Sequence, residues 1–314
     1  MGKLNGLSII ENEYCYNEWR FDTSLKDRNK ILSTIRYFKD PRDITLYRNM
    51  GSYGKAGVEY EIFKTDFNRK EECEPYAGVL KNLSDRVCEE VKKGRGIVMS
   101  SGYCAHAPAI AGGIMRAVST NKKIGVIWID AHADNRIAET TESTDIRLVG
   151  IPVSTMSGQT SEAYRTDICG LKQAIEGRNI LVSDGRMNIP EFNDNLEKAG
   201  SRKVSSDDFK NPQKWEYEVQ RLADQVDMLY LSVDVDILAS EWIPAYAKKV
   251  LGGHTLDTVK KNVEMVMKTG KVIAFSLFCV DFDRYDMGGE KTYNTGREIL
   301  ETGLKAWKDI PDIS

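Results

Sequence analysis

The segment Lys122–Asp134, KKIGVIWIDAHAD, decides how the chain is read. Ile124, Val126, Ile127, Trp128 and Ile129 favour β-structure and lack the polar alternation of a half-exposed strand, so they read as a buried parallel strand covered on both faces. Asp130, His132 and Asp134 follow at its carboxyl end, where open α/β sheets bind ligands. In extended chain, residues at i, i+2 and i+4 project to one side, an arrangement that suits a cation. A solvated acidic loop is the plainer alternative, but Asp227–Asp236, DMLYLSVDVD, repeats the pattern and delivers Asp234 and Asp236. Four carboxylates converging on one cleft repel one another and raise their own pKa values unless divalent cations neutralise them.

Working outward, the 314 residues are 41% apolar and 29% charged, with a net charge of −3. That is an ordinary globular composition, long enough for one large α/β domain spanning 1–314. The charge balance offers no basic surface for nucleic acid. No apolar run approaches the roughly 20 residues that cross a bilayer, so no membrane partner is expected. The start, MGKLNGLSIIENEY, lacks the apolar core of a secretion signal, and the cytoplasm is the expected compartment. Six cysteines stand at 15, 73, 88, 104, 169 and 279 without a CxxC pair, and read as reduced thiols. Only Cys104 and Cys279 fall beside the expected cleft. Residues 1 to 70 are the least readable part, without a recognisable first strand. Helical spacing marks Pro75–Lys93, Ala105–Val118, Leu256–Met267 and Thr292–Trp307, and further strands are expected at Gly96–Ser100, Asn179–Asp184 and Val272–Val280.

DAHAD at Asp130–Asp134 and SVDVD followed by Pro244 resemble the two acidic motifs of the ureohydrolase family of arginases and agmatinases. Gly252-Gly253-His254-Thr255 is similar to that family's GGLT helix entry, and SSGYC at Ser100–Cys104 to its GGDH segment. The resemblance runs from about Gly94 onward. It implies a three-layer αβα fold with a mostly parallel sheet, and a pair of metal ions. Asp130 and Asp234 would bridge both ions, Cys104 and Asp134 would complete one position, and His132 and Asp236 the other. Cys104 stands where most of the family has His, as in relatives acting on hydroxylated arginine; an inert buried thiol, or His106 in a shifted register, are the alternatives. Oxygen-rich ligation with one imidazole favours two Mn²⁺ ions per chain over Zn²⁺. Asp134 would also hydrogen-bond the nucleophile, and a homo-oligomer is implied.

Substrate contacts are less defined. Ser143 and Asp145 are counterparts of residues that hold an amino-acid substrate, with Arg136 and Arg147 as added charges, and Asp184 or Glu191 could contact its amine. Two departures stand out. Val149 occupies the place of a proton-shuttling His, and Cys279 that of a Glu holding the guanidinium, a role Asp281 or Asp283 could take over. His254 reads as bordering the helix that follows. The expected function is therefore a dinuclear hydrolase cutting a C–N bond in a small-molecule or peptide guanidino substrate. A metal-binding but catalytically impaired homologue is the alternative. A relative of single-zinc deacetylases is disfavoured, because the chain has no adjacent histidines.

Overall fold

The computed structural model describes residues 2–11, 36–38, 59–64, 73–100, 102–140, 148–246, 250–280 and 288–314, with the backbone alone at 11, 36–38, 59–64, 73–77 and 100. Eight strands form the main sheet: β1 (Gly6–Glu11), β2 (Glu59–Lys64), β3 (Gly96–Ser100), β4 (Ile124–Asp130), β5 (Ile180–Asp184), β6 (Arg202–Val204), β7 (Met228–Asp234) and β8 (Val272–Phe278). Their order is β2-β1-β3-β8-β7-β4-β5-β6, and every neighbouring pair is parallel.

Parallel strands need crossovers, and helices supply them. These are α1 (Tyr76–Lys92), α2 (Ala107–Ala117), α3 (Pro190–Ala199), α4 (Pro212–Gln225), α5 (Leu256–Met267) and α6 (Gly289–Ala306). All residues of β4, β7 and β8 are buried. Since successive side chains point to opposite faces, that uniform burial requires cover on both sides, which makes the three-layer αβα arrangement expected from the sequence. α1 packs on α2, and α5 packs against both α4 and α6. Two glycines let α2 pack closely, Gly113 against α1 and Gly112 against the Cys169–Leu171 segment. A Cβ on Gly112 would lie 1.9 Å from the Cys169 carbonyl oxygen, and one on Gly113 would lie 2.6 Å from both the Ser84 carbonyl oxygen and Val87 Cβ. β1, which the sequence did not disclose, is tied to α1 by Ser8 Oγ donating to Glu90 Oε2 at 2.8 Å.

Register decides where the site forms. Asp234 pairs with Phe278, Val233 with Ile129, and Leu277 with Ser100, so β3, β8, β7 and β4 finish level. The loops after these four strands carry Cys104, Cys279, Asp236 and His132 respectively. Asp130 pairs with Asp184, which brings β5 to the same height.

Asp184 binds these loops together. It is buried and accepts from Arg186 Nη1 at 2.8 Å, from His254 Nε2 at 3.0 Å and from Ser206 Oγ. Arg186 reaches on to the Asp236 carbonyl oxygen at 2.7 Å and, through Nε, to that of Leu251 at 3.0 Å. His254 therefore precedes α5, whose cap is the Thr255 hydroxyl, and spends its ring on a carboxylate from β5. Burial pushes the Asp184 carboxyl up, but the hydrogen bonds from His254, Ser206 and Arg186 and the guanidinium charge outweigh it, leaving it below the usual value of 3.8.

A depressed folded pKa stabilises the protein above the unfolded carboxyl's pKa, and that contribution disappears as pH falls through the folded value. Asp184→Asn leaves Arg186 without its charge partner and is expected to cost ~3 kcal/mol at neutral pH. Urea unfolding at pH 7 and at about pH 2.5, below the ordinary carboxyl value, should show the gap between variant and wild type narrowing at the lower pH.

Candidate metal centre

Asp130 is the last residue of β4 and is 1% exposed. Its Oδ1 accepts the His132 backbone N–H at 2.6 Å, whereas its buried Oδ2 has no hydrogen-bond partner. His132 Nδ1 lies 2.9 Å from Asp236 Oδ2 and 3.4 Å from Asp130 Oδ1. One ligand atom each from Asp130, His132 and Asp236 falls within 4.8 Å of the others. Backbone donors fix the acids: Ala131 N–H to Asp236 Oδ1 at 3.1 Å, and Asp236 N–H to Asp234 Oδ1 at 3.0 Å. The Tyr246 hydroxyl approaches Asp236 Oδ2 at 3.4 Å.

The extended geometry expected for Asp130, His132 and Asp134 does not hold. β4 ends at Asp130, and Asp134 adopts a left-handed conformation with φ 45°. The physical reason is a change of partners: Asp130 and Ala131 give their carbonyls to Gly185 and Met187, and Asp134 gives its own to Val153 N–H at 2.9 Å, so the chain turns across the strand end. The turn still keeps the Asp134 carboxyl in contact with Asp130 and with the Cys104 thiol.

Cys104 opens a single 3₁₀ turn before α2, and its Sγ donates to the Val149 carbonyl at 3.4 Å. Burial, with Cys279 and the charges of Asp134 and Asp234 nearby, pushes its thiol well up. His106, the alternative to Cys104, is fully buried with Nδ1 2.8 Å from the Tyr103 carbonyl oxygen and its ring stacked on Phe278. Burial pushes its pKa down to about 4. The structure thus brings ligand atoms of Asp130, His132 and Asp236 within reach of one ion, while Asp134, Asp234, Cys104 and Cys279 border that group without joining it. Asp184 has its oxygens engaged by Arg186, His254 and Ser206, and Glu191 lies in the first turn of α3. Ser143, Asp145, Arg147, Asp281 and Asp283 lie outside the described residues.

Electrostatics follow from burial of like charges. Asp130 is held well above the carboxylate range by burial and then by the charges of Asp236, Asp134 and Asp234; Asp234 is raised likewise by burial and Asp236. Burial also lifts Asp134 to about 6, although His132 opposes it. Asp236 alone is lowered, because the hydrogen bond and charge of His132 outweigh its burial. His132 rises to about 12: burial disfavours its charge, and Asp130 and Asp236 reverse that. Among the described residues no Lys or Arg pairs with any of the four acids. An orphaned carboxylate oxygen and crowded acids with a single imidazole fit a divalent cation. Arg186, which braces Asp236 from behind, and Cys279 are participants that sequence reasoning did not assign.

Comparison with known proteins agrees with this geometry. The model of the Arginase family matches residues 44–304. An arginase of Emericella nidulans is 29% identical over 239 residues, covering 73% of this chain and 72% of that protein. An arginase of Staphylococcus aureus is 25% identical over 239 residues, 72% of this chain and 74% of that one. Among solved structures, Bacillus caldovelox arginase aligns with a TM-score of 0.72 at 18% identity, over 96% of this chain and 98% of its own. Entamoeba histolytica arginase, solved in complex with L-ornithine, gives 0.74 at 15% identity over 96% and 99%. Formimidoylglutamase of Bacillus subtilis gives 0.67 at 16% identity over 96% and 87%. Those structural likenesses carry the fold, and the family match over residues 44–304 carries the assignment: the chain belongs to the Arginase family.

Proposed function

We propose that the protein is a dinuclear metal hydrolase that cleaves a C–N bond in a guanidino or amidino substrate of the arginine, hydroxyarginine or peptidyl-arginine type, releasing urea or a related product. The observation that carries this reading is the group of buried acids at level strand ends, with Asp130 Oδ2 unpartnered, in a chain of this family. Asp130 and Asp234 would bridge two divalent ions. His132 and Asp236 would complete one position, and Cys104 and Asp134 the other. Mn²⁺ suits the oxygen-and-imidazole set of Asp130, His132 and Asp236. When bound, such a pair supplies Lewis acidity that makes water nucleophilic at neutral pH.

The chain's own residues do the rest. Asp134, fixed by Val153 and raised towards neutrality by burial, would orient the nucleophile and hold its proton. Asp281 would pair the substrate's planar cation, and Ser143 and Asp145 would bind its remaining polar groups. Asp184 would act at one remove, fixing Arg186 and through it the Asp236 loop. Two of the similar structures are named for different enzymes, arginase and formimidoylglutamase, which supports an amidine-type class more than any single substrate. A cytoplasmic homo-oligomer belongs to the same reading; among the described residues no helix is long and apolar enough to cross a membrane.

A specific observation favours a second reading, a metal-binding homologue with impaired catalysis. The chain has three histidines. His132 sits among the acids, His106 is engaged with Tyr103 and His254 with Asp184, so Val149 has no imidazole substitute. Loss of a general acid typically forfeits ~10²–10⁴ in rate.

Chelation should lower the melting temperature, and Mn²⁺ at a hundred times its Kd should restore ~2.7 kcal/mol. An unchanged melting curve with and without chelator would remove the metal reading. With the metal-loaded protein, a panel of guanidino acids, agmatine, hydroxyarginine and arginine-containing peptides should yield urea or the corresponding amide product from at least one member. Asp134→Asn should then lower kcat by ~10²–10⁴ with a smaller change in KM. A loaded wild type that turns over none of the panel decides for the impaired homologue.

A further inference from the structure

Four large apolar side chains stand exposed among the described residues, and three of them, Met187 at 43%, Ile189 at 48% and Leu251 at 89%, lie on two loops beside the metal centre. The fourth, Tyr217, is on α4. The loop after β5 is bonded to alternate positions of the turn after β4. Met187 N–H donates to the Ala131 carbonyl at 2.9 Å, Ala133 N–H donates to Asn188 Oδ1 at 3.0 Å, and Asn135 Nδ2 donates to the Phe192 carbonyl at 2.7 Å. Ala131, Ala133 and Asn135 are thus spent on this wall, while Asp130, His132 and Asp134 alternate with them. Leu251 joins the same wall through Arg186, whose Nε donates to its carbonyl at 3.0 Å and whose Nη2 holds the Asp236 carbonyl at 2.7 Å. His132, next to Ala131, keeps 34% of its side chain exposed, so the centre opens to solvent at this wall. Asp184, expected to meet a substrate amine, is instead turned into the frame, and the side chains offered to solvent in its place are Met187 and Ile189.

We propose that Met187, Ile189 and Leu251 form an apolar subsite at the mouth of the metal centre, and that the substrate carries its guanidino group beside a hydrophobic extension, as arginine does when large apolar residues flank it in a peptide. This rests on the guanidino reading of the site above and narrows its substrate class. The ammonium and carboxylate of a free amino acid would be stripped of water against three side chains that return no hydrogen bond, whereas apolar flanks gain by leaving water. A second copy of the chain is the other occupant such a patch admits, and it falls short on area. Three side chains offer on the order of 300 Å², against about 800 Å² per partner in a stable interface.

The Mn²⁺-loaded full-length protein is assayed with acetyl-Leu-Arg-Leu-amide, acetyl-Gly-Arg-Gly-amide and free arginine. kcat/KM should be ~10-fold higher for the leucine peptide than for the glycine peptide, and the ratio should fall to about 1 when Met187→Ser, Ile189→Ser and Leu251→Ser are combined. All three positions are exposed, so the triple variant puts folding at little risk. A wild type without that preference, or one that prefers free arginine, would overturn the apolar subsite and leave the hydrolase reading standing. Where none of the three is cut, the hydrolase reading fails, and calorimetric binding of the two peptides to the loaded protein decides. Tighter binding of the leucine peptide by the same factor, lost in the triple variant, keeps the subsite; equal binding or none overturns it. A wild-type dimer in sedimentation that the triple variant dissociates would give the patch to a second copy and overturn the proposal as well.

Discussion

Like charge held out of water is the constraint on which this molecule turns. Asp130, Asp134, Asp234 and Asp236 are gathered at the ends of two adjacent strands, and His132 is the one imidazole among them. Desolvation and mutual repulsion oppose their ionisation, and the surrounding loops answer with backbone N–H groups aimed at Asp130, Asp234 and Asp236. Those donors stiffen the acids without neutralising them. The compensation that buried acids usually find in Lys or Arg is present elsewhere in the same region, at Asp184 with Arg186, and among the described residues is withheld from these four. Among the described residues a guanidinium serves one strand-end carboxylate and none serves its neighbours, an arrangement that suits an external positive charge.

The scaffold that enforces this crowding is simple. An all-parallel sheet delivers every strand end to one edge, and uninterrupted burial of β4, β7 and β8 fixes their register, since a one-residue slip would turn every side chain to the opposite face. Arg186 then ties three loops together, from the ends of β5 and β7 and from the turn before α5.

Much of this was legible in the residues. Uninterrupted apolar runs identified β4 and β7, and helical periodicity with a Gly-Gly entry gave α5 its observed bounds, Leu256–Met267. The edge strands were not legible for an equally physical reason. β6 is RKV, three residues with two charges, and β2 is EYEIFK, so neither carries an apolar run to distinguish it from loop. The acidic motifs disclosed the donor types but not the local geometry. Asp134 reaches the cluster through a left-handed turn, set by partners at Val153 and Gly185 that the motif does not contain. His254 and Asp184 are 70 positions apart, and no local pattern announces their bond. Cys279 read as a missing Glu, because a departure from a motif says what has gone and not what the replacement touches.

The position of the donors just beyond the strand ends has an evolutionary reading. Cys104, His132, Asp134, Asp236 and Cys279 stand in loops just past the strand ends, while the ladder beneath them is closed by backbone hydrogen bonds and apolar burial. Exchanging one of these side chains for another therefore alters the chemistry of the cleft with little consequence for the architecture below. A chain built this way is free to drift in chemistry while its frame stays recognisable, as Val149 and Cys279 illustrate. Asp184 marks the boundary of that freedom, because there a strand-end carboxylate has become part of the frame itself.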